Sequence, residues 1–316
     1  MSVAVVTDDA ALRDLGPAWQ VLWRRLSADP FRSAAWTLAW WRCFGTRRPV
    51  VAVAREGGDT VGLLACYLLD EPAGRRLLPM GAGITDYQDL LGAGGPALLA
   101  AVLETAREAG AVSCDFTDLP PGAVLRALPA PPDWGERLGE SDACPVLAHP
   151  KIPAGRRRDR RQALHRAARR GGCAIEVADA NTLGPALEAL FRLHAARWRA
   201  CGGTGVLADP RVTAFHRLAA PGLLAEGALR LAVLRIAGTE AASCYALLAP
   251  RRIFFYLSGF DPAFSHESPG TILLGHLIEQ ALAEGRDVHF LRGAEPYKYA
   301  WGGVDRMNAT RSLTPL

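Results

Sequence analysis

The sequence predicts a mixed α/β chain of two tandem units, each a mostly antiparallel sheet with flanking helices. Three observations carry that prediction. A stretch that begins at Val50 (VVAVAREGGDTVGLLACYLL, an Arg-Arg pair, RRLLPM, then GGPALLAAVLETAREAGAVSCDFTDLP) returns from Ala228 as ALRLAVLRIAGTEAASCYALL, a second Arg-Arg pair, RRIFFYLSGF, and SPGTILLGHLIEQALAEGRDVHFLRGAEP. Cys66-Tyr67 then aligns with Cys244-Tyr245, and Asp115 with His289; a repeat of this length implies two copies of one fold. The length, 316 residues, suits two domains of about 150. Half of the residues are hydrophobic, with 32 Gly and 8 Trp, which is enough apolar material for two cores joined by many turns. The expected units are 1–150 and 151–316.

Residues 8–26 read as helical, and a second, aromatic-rich helix follows Pro30 with Ser33 as N-cap and Gly45 just beyond its end. Trp36, Trp40 and Phe44 recur every four residues and share a face, which reads as core. Apolar runs at 50–55 and 61–69 flank Glu56-Gly57-Gly58-Asp59, a hairpin signal. A strand at 76–80, a loop at 81–95, a helix at 96–109 and a strand at 111–117 complete the first unit. Leu119 to Pro153 is proline-rich and reads as the linker, with Cys144–Ala148 as one last strand of the first half.

Eight arginines crowd residues 156–170 before Gly171-Gly172 stops that helix. Strand 173–177, helix 182–200, helix 209–220 (Asp209 cap, then Pro210), strands 229–236, 240–248 and 252–258, helix 269–283 and strand 287–291 follow. Within the basic helix Arg158, Arg161, His165 and Arg169 form one stripe, expected to be solvated unless a polyanion binds it.

A net charge of +4 is too mild by itself to imply nucleic acid. Seven scattered cysteines, never spaced CxxC, read as small core residues in a reducing cytoplasm. No His, Cys or acid grouping has metal-ligand spacing, so no metal is expected. The opening MSVAVVTDDAALRDLG is not a signal peptide, and no apolar run approaches the roughly 18 residues of a membrane span.

Three places offer chemistry. Ser268-Pro269-Gly270-Thr271 opens a helix: Ser268 as cap, proline where an amide would be orphaned, glycine where a ligand must approach closely. The free N–H groups there suit a pyrophosphate. Arg292, Glu295, Tyr297 and Lys298 crowd the end of the last strand. Lys298 would stabilise developing negative charge, Tyr297 would protonate a leaving group, and Glu295 would position or deprotonate a nucleophile. Tyr256 and Asp261 end one strand, Asp86 and Tyr87 hold the matching place in the first half, and Arg197 ends a helix. Acid and aromatic together suit an amine or sugar acceptor.

These stretches resemble the GNAT acyltransferase superfamily, in its CelD-like and FemABX-like double-GNAT branch. Phe255–Pro262 resembles that branch's "yylsGfDp", Ser268-Pro269-Gly270 its "SPG", Leu291–Lys298 its "fLrGdepYK", and Thr85–Leu91 its "sDYldll". The resemblance implies acyl transfer, a functional lysine at position 298, and cleft residues from both halves. It implies acetyl-CoA or another acyl-CoA as co-substrate, with Ser268, Gly270, Thr271 and Arg292 at the donor. In ordinary GNATs the turn reads Arg/Gln-x-x-Gly-x-Gly/Ala; here Glu267 takes the first place and Ile272 the last. A carboxylate beside a pyrophosphate is unfavourable. Three functions therefore stay open: acyl transfer from CoA to an amine or hydroxyl of a small molecule or saccharide; aminoacyl transfer from charged tRNA; or a non-catalytic scaffold in polysaccharide biosynthesis.

Overall fold

The structure, a computed structural model, describes all residues except Arg47, His149 and Pro150. In chain order the first unit holds β1 (Ser2–Val6), α1 (Asp9–Asp14), α2 (Gly16–Leu26), α3 (Ala34–Phe44), β2 (Pro49–Glu56), β3 (Asp59–Glu71), β4 (Gly74–Pro79), β5 (Leu91–Gly92), α4 (Gly95–Glu108), β6 (Ala111–Leu119), α5 (Val124–Ala127) and β7 (Trp134–Ala143). The second holds β8 (Val146–Leu147), α6 (Ala154–Arg169), β9 (Cys173–Val177), α7 (Leu183–Ala200), α8 (Pro210–Ala225), β10 (Leu229–Ile236), β11 (Thr239–Ala249), β12 (Arg252–Phe260), α9 (Pro269–Ala283), β13 (Asp287–His289), α10 (Pro296–Ala300) and β14 (Gly303–Val304). The chain then returns to the first unit with β15 (Met307–Pro315).

The first sheet runs β1-β2-β3-β4-β6-β15-β7, with β5 added on β3, and is antiparallel except where β4 lies beside β6. The second runs β14-β8-β13-β12-β11-β10-β9 and is antiparallel except where β12 lies beside β13. Each unit is thus a meander, a helix, and a strand returning parallel to the third meander strand, and the repeat read from the sequence maps β3 onto β11 and β6 onto β13. Alternation along β2 sends Val50, Ala52 and Ala54 into the core under α4, with Leu98, Leu99 and Val102. In the second unit Cys244, Ala246 and Leu248 meet Ile272, Leu273, Leu277 and Ile278 of α9, each of whose side chains contributes roughly 1.5–3 kcal/mol by burial.

The hairpin turn has Gly57 and Gly58 at positive φ, and Ser33 caps α3 by accepting from the Trp36 N–H. Trp36 and Trp40 are buried, and Trp40 stacks on Phe44.

Three expectations need correction. The stretch expected to be a linker folds into α5, β7 and β8. Cys144–Ala148, expected to close the first half, supplies β8 to the second sheet, where Val146 pairs with His289. The tail expected to end the second unit instead lies between β6 and β7 of the first. The compact units are accordingly Met1–Ala143 with Arg306–Leu316, and Cys144–Asp305. The boundary expected at 150/151 falls beside Pro150, outside the described residues. No helix among the described residues is long and apolar enough to cross a membrane.

Candidate functional site

In the second unit β12 and β13 pair only over Arg252–Phe254 and Asp287–His289, while β12 runs on to Phe260. Beyond Phe254, among the described residues, no strand lies beside that edge of β12. The β11–β12 register also slips: Tyr245 faces Leu257 and Ala246 faces Phe255, so Tyr256 is the extra residue of a β-bulge. A bulge re-aims the side chain it carries. A cavity of about 260 Å3 opens here, lined by Tyr256, Ser258, Tyr297, Gly270 and Thr271, with Ser243 from β11 and two arginines, Arg156 and Arg197. Among the described residues no Asp or Glu lines it, so its electrostatics favour an anion.

Helix α9 enters the cavity by its first turn. Ser268 is the N-cap residue, in the left-handed region at φ 51, but its hydroxyl makes no capping bond; Oγ instead accepts from Arg166 at 3.1 Å. The expected side-chain cap is therefore replaced by an anchor to α6. Thr271 and Ile272 N–H return to the Ser268 carbonyl. A Cβ built at Gly270 would meet nothing within 4 Å, so protein packing does not require glycine there. The buried Glu267 does not face the cavity: its carboxylate pairs with Arg170 at 2.8 Å, and Arg170 also lies 4.2 Å over the Phe264 ring. The electrostatic objection to an anion at this turn is thus met by a partner from the arginine-rich helix. On α6, Arg160 bonds both oxygens of Glu279, whereas Arg157, Arg158, Arg161, His165 and Arg169 are exposed.

The segment after β13 divides the residues that the sequence grouped. Tyr297 lines the cavity, and burial first, then the nearby Glu295 charge, pushes its pKa well up, so its hydroxyl keeps its proton at neutral pH. Lys298, its neighbour, turns away into the fold. It is 2 % exposed, and its ammonium donates to the carbonyls of Leu291 (3.0 Å), Arg292 (2.5 Å) and Gly293 (3.1 Å) and pairs with Glu295 at 2.9 Å. An ammonium has three N–H donors, and four acceptors surround this one. Leu291 and Gly293 have φ of 60° and 104°, a turn that converges carbonyls on the lysine. Glu295 is exposed on the outer side of that cage, and Arg292 is half-buried; neither lines the cavity.

Of the expected cleft residues, Tyr256 and Arg197 line the cavity. Arg197 reaches from α7 to donate to the Ser258 hydroxyl at 3.3 Å and lies 5.9 Å from the Phe260 ring. Asp261 does not line it; it caps the following turn by accepting from Ala263 N–H at 2.9 Å. Gly259 is explained by crowding: a Cβ there would stand 2.2 Å from the backbone nitrogen of His194, because α7 packs directly on β12.

Asp86 and Tyr87 belong to the first unit and are buried, the Asp86 carbonyl accepting from Asn308 and Tyr87 packing edge-on to Phe31. In that unit β4 and β6 separate in the same way, but Gln88 bridges the gap. Its N–H donates to Asp118 O and its Nε2 to Met80 O, leaving a space of about 20 Å3.

Sequence reasoning missed Arg156 and Ser243. Arg156, in the first turn of α6, approaches Trp301 at 5.9 Å and was hidden among seven other arginines. Ser243 sits in the apolar run of β11, where a lone hydroxyl was the available signal.

Residues 154–299 match the family model of the acetyltransferase (GNAT) domain. No curated protein matches the sequence. Among solved structures the chain is similar to FemX (11 % identity, 98 % of this chain and 97 % of that one, TM-score 0.62). It is also similar to the C-terminal DUF2156 domain of a putative lysylphosphatidylglycerol synthetase from Agrobacterium fabrum (15 %, 95 % and 92 %, 0.60). L-PGS from Bacillus licheniformis is a third such structure (13 %, 96 % and 91 %, 0.60). At these identities the likeness is one of fold. Residues 154–299, within the second unit, thus match a GNAT domain, and the chain as a whole shares its fold with FemX and the other two structures.

Proposed function

We propose that the chain transfers an acyl group from a CoA thioester to an amine or hydroxyl of a small molecule or saccharide, in the cavity of the second unit. The observation that carries this is the cavity at the parting of β12 and β13, bounded by two arginines, the open first turn of α9 and a protonated tyrosine, with no carboxylate from the described residues in its wall. The unpaired edge of β12 offers hydrogen bonds to an extended donor arm, and the space beside Gly270 admits phosphate oxygens to the start of α9. As the nucleophile attacks the thioester carbon and the C–S bond breaks, the Tyr297 hydroxyl protonates the departing thiolate, and the proton shed by the acceptor nitrogen or oxygen returns to the tyrosinate. Tyr256 and Arg197, in the cavity wall, face the substrates. Lys298 and Glu295 act one step back, fixing the turn from which Tyr297 projects, and Arg292 contributes its carbonyl to that cage. No metal is used. The first unit, its equivalent gap filled by Gln88, serves as scaffold. Seven free thiols fit a reducing cytoplasm.

The test is calorimetric titration of the full chain with acetyl-CoA, followed by turnover of Tyr297→Phe. Binding is expected, and the variant is expected to lose about 10²-fold or more in turnover. An absence of thioester binding sinks the CoA version. Aminoacyl transfer from charged tRNA is the second reading, favoured by the exposed basic face of α6. It requires steep salt dependence and loss of RNA binding when Arg157, Arg158 and Arg161 become alanine. The scaffold reading drew on Glu267, whose charge Arg170 now accounts for.

A further inference from the structure

Two polar groups in the cavity wall are left over once the donor and the leaving-group proton are assigned. Arg197 sits in the last turn of α7, where a cation often serves only to satisfy terminal carbonyls. Here the guanidinium instead reaches across to β12, donating to the Ser258 hydroxyl at 3.3 Å, and among the described residues it has no carboxylate partner. A half-buried guanidinium presents several N–H donors in a rigid fork, and one long bond to a serine leaves most of them open. The second group is Ser243. It is 1 % exposed, it lines the same cavity, and among the described residues its hydroxyl has no hydrogen-bond partner. Buried hydroxyls without partners are rare because desolvation is uncompensated, so such a group in a cavity wall points to a ligand atom. One group asks for an anion and the other for an acceptor, in one chamber to which no described residue contributes an acid.

We propose that the second unit's cavity recognises a carboxylate, gripped by the Arg197 fork and the Ser243 hydroxyl, and that the small substrate consumed there is a carboxylate-bearing compound. A planar carboxylate matches the guanidinium fork with two parallel hydrogen bonds, which an ammonium or an isosteric amide does not reproduce. The carboxylate can arrive on the acyl group, as a dicarboxylic monothioester, or on the acceptor, as an amino acid. Its role in turnover rests on the acyl-transfer reading; its binding does not.

The experiment has two arms on the full chain. In the donor arm, succinyl-CoA is compared with acetyl-CoA by calorimetry and by turnover. In the acceptor arm, amino acids are compared with their amides at fixed acetyl-CoA. One arm is expected to favour the carboxylate by about tenfold or more. Arg197→Met is expected to bring that ratio close to one, and Ser243→Ala to lower it several-fold. Arg197→Lys, which keeps the charge and loses the fork, falls between and serves if the methionine variant does not fold. Equal use of carboxylate and amide in both arms, or an undiminished preference in both Arg197 variants, overturns the proposal while leaving acyl transfer standing. If no thioester binds, acyl transfer fails, and the carboxylate site is judged by succinate against succinamide binding alone.

Discussion

Lys298 shows how far a residue's charge can mislead about its task. Its ammonium is spent on three carbonyls and a carboxylate, so removal should act through the fold. Lys298→Met is expected to cost about 3 kcal/mol, because carbonyls turned inward for the lysine lose their partner. Urea unfolding reads that loss, together with a drop in turnover as Tyr297 shifts. Two buried histidines make a second residue-scale prediction. Burial holds His194 at about 4 and His216 at about 3, against an ordinary 6.5. Below 6.5 the unfolded chain takes up protons that the folded chain refuses until these lower values. Stability should therefore fall as pH drops from 6.5 toward 4, by up to roughly 1.4 kcal/mol per unit for each histidine. His216→Phe, placed among Phe215, Tyr245 and Tyr256, should flatten the dependence of the thermal midpoint on pH. The sequence marked Tyr297, Arg197, Gly270 and Thr271 because each stands near the end of an element, and Tyr256 because it lies in a recognisable motif, although it sits inside β12 at its bulge. It hid Ser243, because a hydroxyl inside an apolar strand looks the same whether it faces packing or a chamber.

Among the elements, two glycines of similar appearance should behave oppositely. Gly259→Ala drives a Cβ into the backbone of α7 and should cost roughly 3 kcal/mol, read as a lowered thermal midpoint. Gly270→Ala meets no protein atom and reduces the freedom of the unfolded chain, so it should stabilise by roughly 0.5 kcal/mol. The same change should weaken binding of the thioester, since the methyl occupies the space left for it. Equal affinity for acetyl-CoA in that variant would remove α9 from the donor site. A strand with a buried apolar face was legible in the sequence: 229–236 matches β10 residue for residue. β7, with its run Gly-Glu-Arg-Leu-Gly-Glu-Ser-Asp, was not, because a largely exposed edge strand carries no continuous apolar signal.

At the level of the whole molecule, the duplication was readable and the strand exchange was not. Alternation tells which face of β15 is buried but never which sheet receives it. Arg311, fully buried, fixes the answer: its guanidinium meets Leu125 O, Leu128 O and Glu136, all in the first unit. Deleting residues 306–316 should therefore loosen the first unit, remote in sequence, and spare the second, next to it in sequence. Hydrogen exchange would show β6 and β7 losing protection while β10 to β12 keep theirs; the reverse pattern would contradict the assignment. The position of β15 also bears on biosynthesis. Translation delivers the amino-terminal half first, yet its sheet lacks an interior member until some of the last residues described leave the ribosome. The earlier-made half is thus the later to close, and two naked strand borders wait through the making of its twin, open to mispairing with nascent neighbours.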